Sequence, residues 1–113
     1  MPDETALFFN VLIKKTDEEY LAHCLELDLV TTAPTLEQVK EDVADVIASQ
    51  VDYAFNNDNL DYLYHPAPPE VWAEFFACRG SSEDVKRSIT QSRASVPPWI
   101  IAKTCRASNL QHA

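Results

Sequence analysis

The chain has 113 residues and a mass of 12.7 kDa, enough for one domain with one core. Apolar residues make up 46% and charged residues 24%, a globular composition and not a disordered one. The formal net charge of −9 repels nucleic acid and suits a basic protein partner. Gly80 is the single glycine, which excludes a P-loop and a Rossmann fingerprint. No apolar run approaches the length of a transmembrane helix. The acidic start Met1-Pro2-Asp3-Glu4 is unlike the basic start of a signal peptide. Cys24, Cys78 and Cys105 are odd in number, widely spaced and form no CxxC. They predict free thiols in a reducing cytoplasm.

The charge is unevenly spread. Residues 1–60 carry 13 acids against three lysines, a net of −10. Residues 61–113 carry five acids against six bases, a net of +1. Within 79–106, Arg79, Lys86, Arg87, Arg93, Lys103 and Arg106 face only Glu83 and Asp84, a net of +4. Such a stretch can touch RNA or DNA, fold back on the acidic body, or simply be surface, which is the commonest case.

In chain order, Leu7, Phe9, Val11 and Ile13 alternate with Phe8, Asn10, Leu12 and Lys14. This is a strand over 6–15 with one face buried and the other partly covered. Thr16-Asp17-Glu18-Glu19 is a break of hairpin length. The run from Tyr20 to Val30 is long for one strand, so a kink near Leu25–Asp28 predicts two. Thr35-Leu36-Glu37-Gln38 matches a capping box. Behind it Leu36, Val39, Val43, Val46, Ile47, Ala54 and Phe55 recur at helical spacing, opposite Glu37, Lys40, Glu41, Asp45 and Asp52. Asn56-Asn57-Asp58-Asn59 stops this helix.

The second half is more broken. His65-Pro66-Ala67-Pro68-Pro69 is a stiff connector. Pro69-Glu70 opens a short helix with Val71, Trp72, Phe75 and Phe76, and Gly80 is a plausible stop. Ser81-Ser82-Glu83-Asp84 predicts one or two further helical turns, to about Arg93. Trp99–Thr104 predicts a final strand, and the residues from Ala107 are polar and frayed. The expected fold is thus α+β. It is a three-stranded antiparallel meander with one long amphipathic helix packed on it, plus a short helix and a final strand.

Few side chains are spaced for chemistry. His23 and Cys24 are neighbours in a strand and point to opposite faces. His65 sits in a connector and His112 in the tail. Glu37, Glu41 and Asp45 lie one turn apart on the long helix. They read first as a solvated face and second as a surface for a basic partner. Glu26 and Asp28 share a strand face, but nothing near them in sequence supplies a metal histidine or a nucleophile with its base. We therefore expect no catalytic residue, no cofactor and no metal. A nucleic-acid hydrolase would need clustered acids or a His–acid pair, for which the spacing is poor. Tyr62, Tyr64, Trp72, Phe75, Phe76 and Trp99 form an accessory core or an aromatic anchor. Trp72, Phe76 and Trp99 are the candidates for self-association, and a homodimer or larger assembly is expected. The Trp99–Thr104 strand would otherwise leave an open edge at the rim of the sheet.

One order of landmarks is distinctive. A Phe-x-Val-x-Ile strand leads to a charged turn, and Tyr20-Leu21-Ala22-His23-Cys24 follows. Leu25-Glu26-Leu27-Asp28-Leu29-Val30-Thr31-Thr32 is an acidic-leucine kink, and Thr35-Leu36-Glu37-Gln38-Val39 opens a helix. Over residues 6 to about 55 this resembles the HicB antitoxin family, with its Tyr-x-Ala-x-Cys strand, its Val-x-Thr ending and its Thr-Leu-Glu-Glu-Ala helix start. The family commonly has Pro near Leu25, Gly near Leu29 and Ala33, and Ala at Val39. No helix-turn-helix or ribbon-helix-helix signature is found in 60–113. The resemblance implies a partial double-stranded-RNA-binding-like layer over 6–58, with 59–113 as an extension of the same domain. It also implies a toxin-neutralising role in the cytoplasm, with a small basic RNA-cleaving protein as partner.

Overall fold

Strand β1 (Ala6–Lys15) is the middle of a sheet that carries one helix on each face, the second face being covered only in part. The computed structural model describes residues 6–56, 63–78, 82–88 and 99–106. Phe9, Val11 and Ile13 of β1 are buried on one face. Leu12 is buried on the other, as the period of two requires. Antiparallel β2 (Tyr20–Cys24) sets Cys24 opposite Val11 and Tyr20 opposite Lys15. The hairpin is closed by Thr16, whose N–H donates to the Glu19 carbonyl at 2.8 Å. The Glu19 N–H donates back to Thr16 Oγ1 at 3.2 Å. Antiparallel β3 (Leu29–Ala33) then lies along the outer side of β2. The kink falls at 25–28 as expected, and Asp28 takes a φ of 55°. That is left-handed backbone, which aspartate tolerates better than most residues with a Cβ.

Helix α1 (Leu36–Asn56) follows. Thr35 caps it: Oγ1 accepts the Gln38 N–H at 3.1 Å. Val39, Val43, Ile47 and Val51 are fully buried against Phe9, Val11, Ile13, Ala22 and Cys24. Burial of each such side chain contributes roughly 1.5–3 kcal/mol. Leu36 and Val46 are only half-buried. Helix α2 (Pro69–Phe76) starts with proline at its first turn, where no N–H is missed. It covers the opposite face through Val71, Trp72 and Phe75, which pack with Leu12, Leu25 and Ala67. Lys14 Nζ reaches Glu74 Oε2 at 2.8 Å.

Two strands complete the sheet. β5 (Trp99–Arg106) runs parallel to β1, with Ile100 opposite Leu7 and Cys105 opposite Leu12. β4 (Ser82–Ser88) pairs antiparallel with β5. The order is β3-β2-β1-β5-β4.

The α+β class stands, but three expectations are corrected. The antiparallel β1–β2–β3 meander is present, but the sheet is mixed and five-stranded, with β5 and β4 added on the other side of β1. The helical turns expected after Ser81 are β4 over 82–88. That stretch has one apolar residue, Val85, so its own pattern sets neither period, and pairing with β5 decides. β5 is not at the rim, because β1 and β4 flank it, so the open-edge argument for dimers does not apply to it.

The cysteine expectation is also corrected. Cys78 and Cys105 form a disulfide with Cα atoms 6.5 Å apart, and only Cys24 is a free thiol. They are separated by 27 residues, with no local motif. The bond ties the chain just past α2 to β5, two segments that no local spacing relates. The pairing removes the free-thiol observation behind the reducing-compartment expectation. Among the described residues, no helix is long and apolar enough to cross a membrane. Arg79, Gly80, Arg93, Tyr62, His112 and the side chain of Phe55 lie outside the described residues.

Candidate partner-binding surfaces

Side-chain hydrogen bonds converge on the kink at 25–28. Asn10 donates its backbone N–H to Glu26 Oε1 at 2.8 Å and its side-chain amide to Glu26 Oε2 at 2.7 Å. His23 Nε2 lies 2.6 Å from Asp28 Oδ1. This corrects the expectation that no His–acid pair forms, because the turn at 25–28 folds the two together. The proline-rich connector crosses the same place. The His65 N–H donates to the Glu26 carbonyl at 3.0 Å, and the Ala67 N–H to the Leu25 carbonyl at 2.7 Å. Tyr64 stacks on Phe9, with ring centroids 6.2 Å apart.

Cys24 points into the α1 side, and burial above all pushes its thiol up to about 12, so it holds its proton and is a poor nucleophile. Burial also raises the Tyr64 phenol, with Glu26 and then Cys24 adding to the effect. Glu26 has both carboxylate oxygens occupied by Asn10. These contacts hold the kink and strap 63–67 over it. Among the described residues, no group of three or more His, Cys, Asp or Glu is placed to hold a metal ion.

The acidic stripe of α1 meets its own chain. Arg87 on β4 pairs with Glu41 and with Asp45, whose Oδ1 accepts from Nε at 2.9 Å. Lys40 pairs with Glu83 of β4 and lies 3.6 Å from Glu37. Of the uses open to the basic stretch, Arg87 folds back on the acidic helix. Lys103 stays beside Asp84, at 3.8 Å. Glu37 is left as the acid of the stripe that faces water most fully, joined at the hairpin tip by exposed Asp17, Glu18 and Glu19.

The self-association candidates are split. Trp72 packs into the second core. Phe76 is exposed, with its ring 6.0 Å from that of Trp72. Trp99 is half-buried on β5 under Lys86, 4.4 Å from its centroid. Residues of one parity on β1 and β5, Phe8, Trp99 and Ile101, share the face that α2 covers only at its Leu12 and Cys105 end. Phe8 is 56% exposed. Sequence reasoning placed Asn10 on the partly covered face of the first strand and Arg87 in the basic stretch, but gave neither its partner: Glu26 and the Glu41–Asp45 pair are 16 and at least 42 residues away.

No family model matches the chain, and no curated protein and no solved structure matches it.

Proposed function

We propose that the chain is a non-enzymatic binding protein of HicB-like fold, an antitoxin or regulatory module that sequesters a small basic RNA-cleaving protein. The observation that carries this is charge segregation. Residues 6–56, the layer of β1–β3 and α1, hold ten acids against three lysines, a net of −7. Beside the acids that Arg87 pairs, Asp17, Glu18 and Glu19 at the hairpin tip and Glu37 at the start of α1 face water. An acidic surface of this kind attracts a cationic partner and speeds its capture. The meander, the kink at 25–28 and the capped helix support the HicB resemblance. Asp28 supplies left-handed backbone close to where that family has glycine.

The test is co-expression with the product of an adjacent gene that encodes a small basic protein. Co-purification and relief of its toxicity are the expected result. Toxicity unchanged by this chain would overturn the reading.

A second reading is self-association without a toxin, favoured by exposed Phe8 and Phe76 beside a half-covered sheet face. Light scattering during size exclusion tests it. A dimer that Phe8→Ser or Phe76→Ser dissociates supports it, and a monomer at tens of micromolar rules it out.

A further inference from the structure

The sheet has two outer edges, and they differ in chemistry. β4 reads Ser82-Glu83-Asp84-Val85-Lys86-Arg87-Ser88. Charges along an edge strand discourage the addition of another strand. β3 reads Leu29-Val30-Thr31-Thr32-Ala33, with no charge, no glycine and no proline. Among the described residues no strand pairs with its outer side. Val30 is 51% exposed, and Thr32 is exposed too. The Thr31 hydroxyl of the same strand is buried without a hydrogen-bond partner.

Acids bracket this neutral edge. Tyr20 lies opposite Ala33, so the hairpin tip with Glu18 and Glu19 sits at the Ala33 end. The start of α1 with exposed Glu37 follows that end directly. Asp28 adjoins the other end.

We infer that β3 takes up an extended segment of a basic partner protein as a sixth strand, by backbone pairing, with cationic residues flanking the paired stretch. This deepens the proposed function and rests on it for the partner's charge. Backbone hydrogen bonds supply the affinity in this mode of recognition, and flanking charges supply choice. The same charges disfavour a second copy of this chain. Antiparallel pairing of β3 with β3 sets Asp28 of each copy against the end of the other where Glu19 and Glu37 sit. Like charges so placed repel.

The experiment uses the full chain and a short synthetic peptide of alternating valine and threonine flanked by lysines. Controls are the same peptide flanked by glutamates and a version N-methylated at alternate backbone nitrogens. Binding is read by fluorescence anisotropy and located by amide hydrogen exchange. The lysine-flanked peptide should bind and protect Leu29–Ala33, and both controls should fail. Val30→Lys with Thr32→Lys should weaken binding about tenfold at unchanged melting temperature, because the edge then repels the probe. Thr32→Lys alone, at a surface site, serves if the double variant folds poorly. No binding, binding of the glutamate-flanked peptide, or protection at 82–88 would overturn the inference. So would a dimer of the native chain that the lysine variants dissociate.

The two readings fail separately. A basic protein that co-purifies equally with native chain and lysine variants removes the edge and leaves the function. Peptide addition at β3, with no basic protein neutralised, removes the function and leaves the edge.

Discussion

The carboxylate of Glu26 holds Asn10 through both its oxygens, one on the backbone N–H and one on the side-chain amide. Asn10 is where β1 stops pairing regularly with β2: its carbonyl accepts from Leu25, already in the kink, at 2.9 Å. Glu26 thus takes over a ladder position that the kink leaves vacant, since a half-buried backbone donor needs an acceptor. Glu26→Ala should cost about 1–3 kcal/mol, the usual penalty for leaving such a donor unpaired. Glu26→Gln retains one acceptor oxygen and should cost less. Urea unfolding of both variants checks the order, and equal losses would contradict it.

Val43 is the second test. It is fully buried where α1 crosses the sheet, in the cluster that holds Phe9, Val11 and Ile13. Val43→Asp places an unpaired charge there and should unfold the domain. If circular dichroism shows the variant melting within a few degrees of wild type, the buried face of α1 is wrongly assigned.

Thiol labelling separates the three cysteines. The native, unreduced protein should take up no iodoacetamide near neutral pH, since Cys24 is buried and protonated and the other two are bonded. Unfolding without reductant should expose a single reactive site, and unfolding with reductant should expose all three, by mass spectrometry. Cys78→Ser opens the loop spanning 27 residues and should cost about 3–4 kcal/mol in the chain-entropy account. Three labels without reductant would refute the pairing.

Lys40 gives an alkaline signature. It is 8% exposed, and its hydrogen bond to Glu83 raises its pKa above the ordinary 10.5. A raised folded value means the stabilisation is complete below about 10.5 and fades as pH climbs through the folded value. Cys24 has the same sign, with loss setting in from its ordinary 9.0 towards about 12. Lys40→Met keeps the packed stem and removes one titration while Cys24 remains. The stability gap between wild type and variant should therefore narrow above about pH 10.5. A gap independent of pH, from urea midpoints, would show that the Lys40–Glu83 pair contributes nothing.

Sequence alone determined the first half of this protein. Alternation defined β1, length forced the kink at 25–28, and Thr35 with Gln38 marked the start of α1. Those signals are local: period, turn chemistry and capping act within a few residues. Pro69 likewise marked α2, and the apolar run from Trp99 marked β5.

Only the tertiary structure decided what depends on distant neighbours. β4 exists because β5 offers it a ladder, and β5 is interior because β1 receives it in parallel. Arg87 found Glu41 and Asp45, and Cys78 found Cys105, across separations that no spacing rule connects. The neutral edge of β3 became visible only once the strand order was set, because an edge is a property of the sheet and not of the strand.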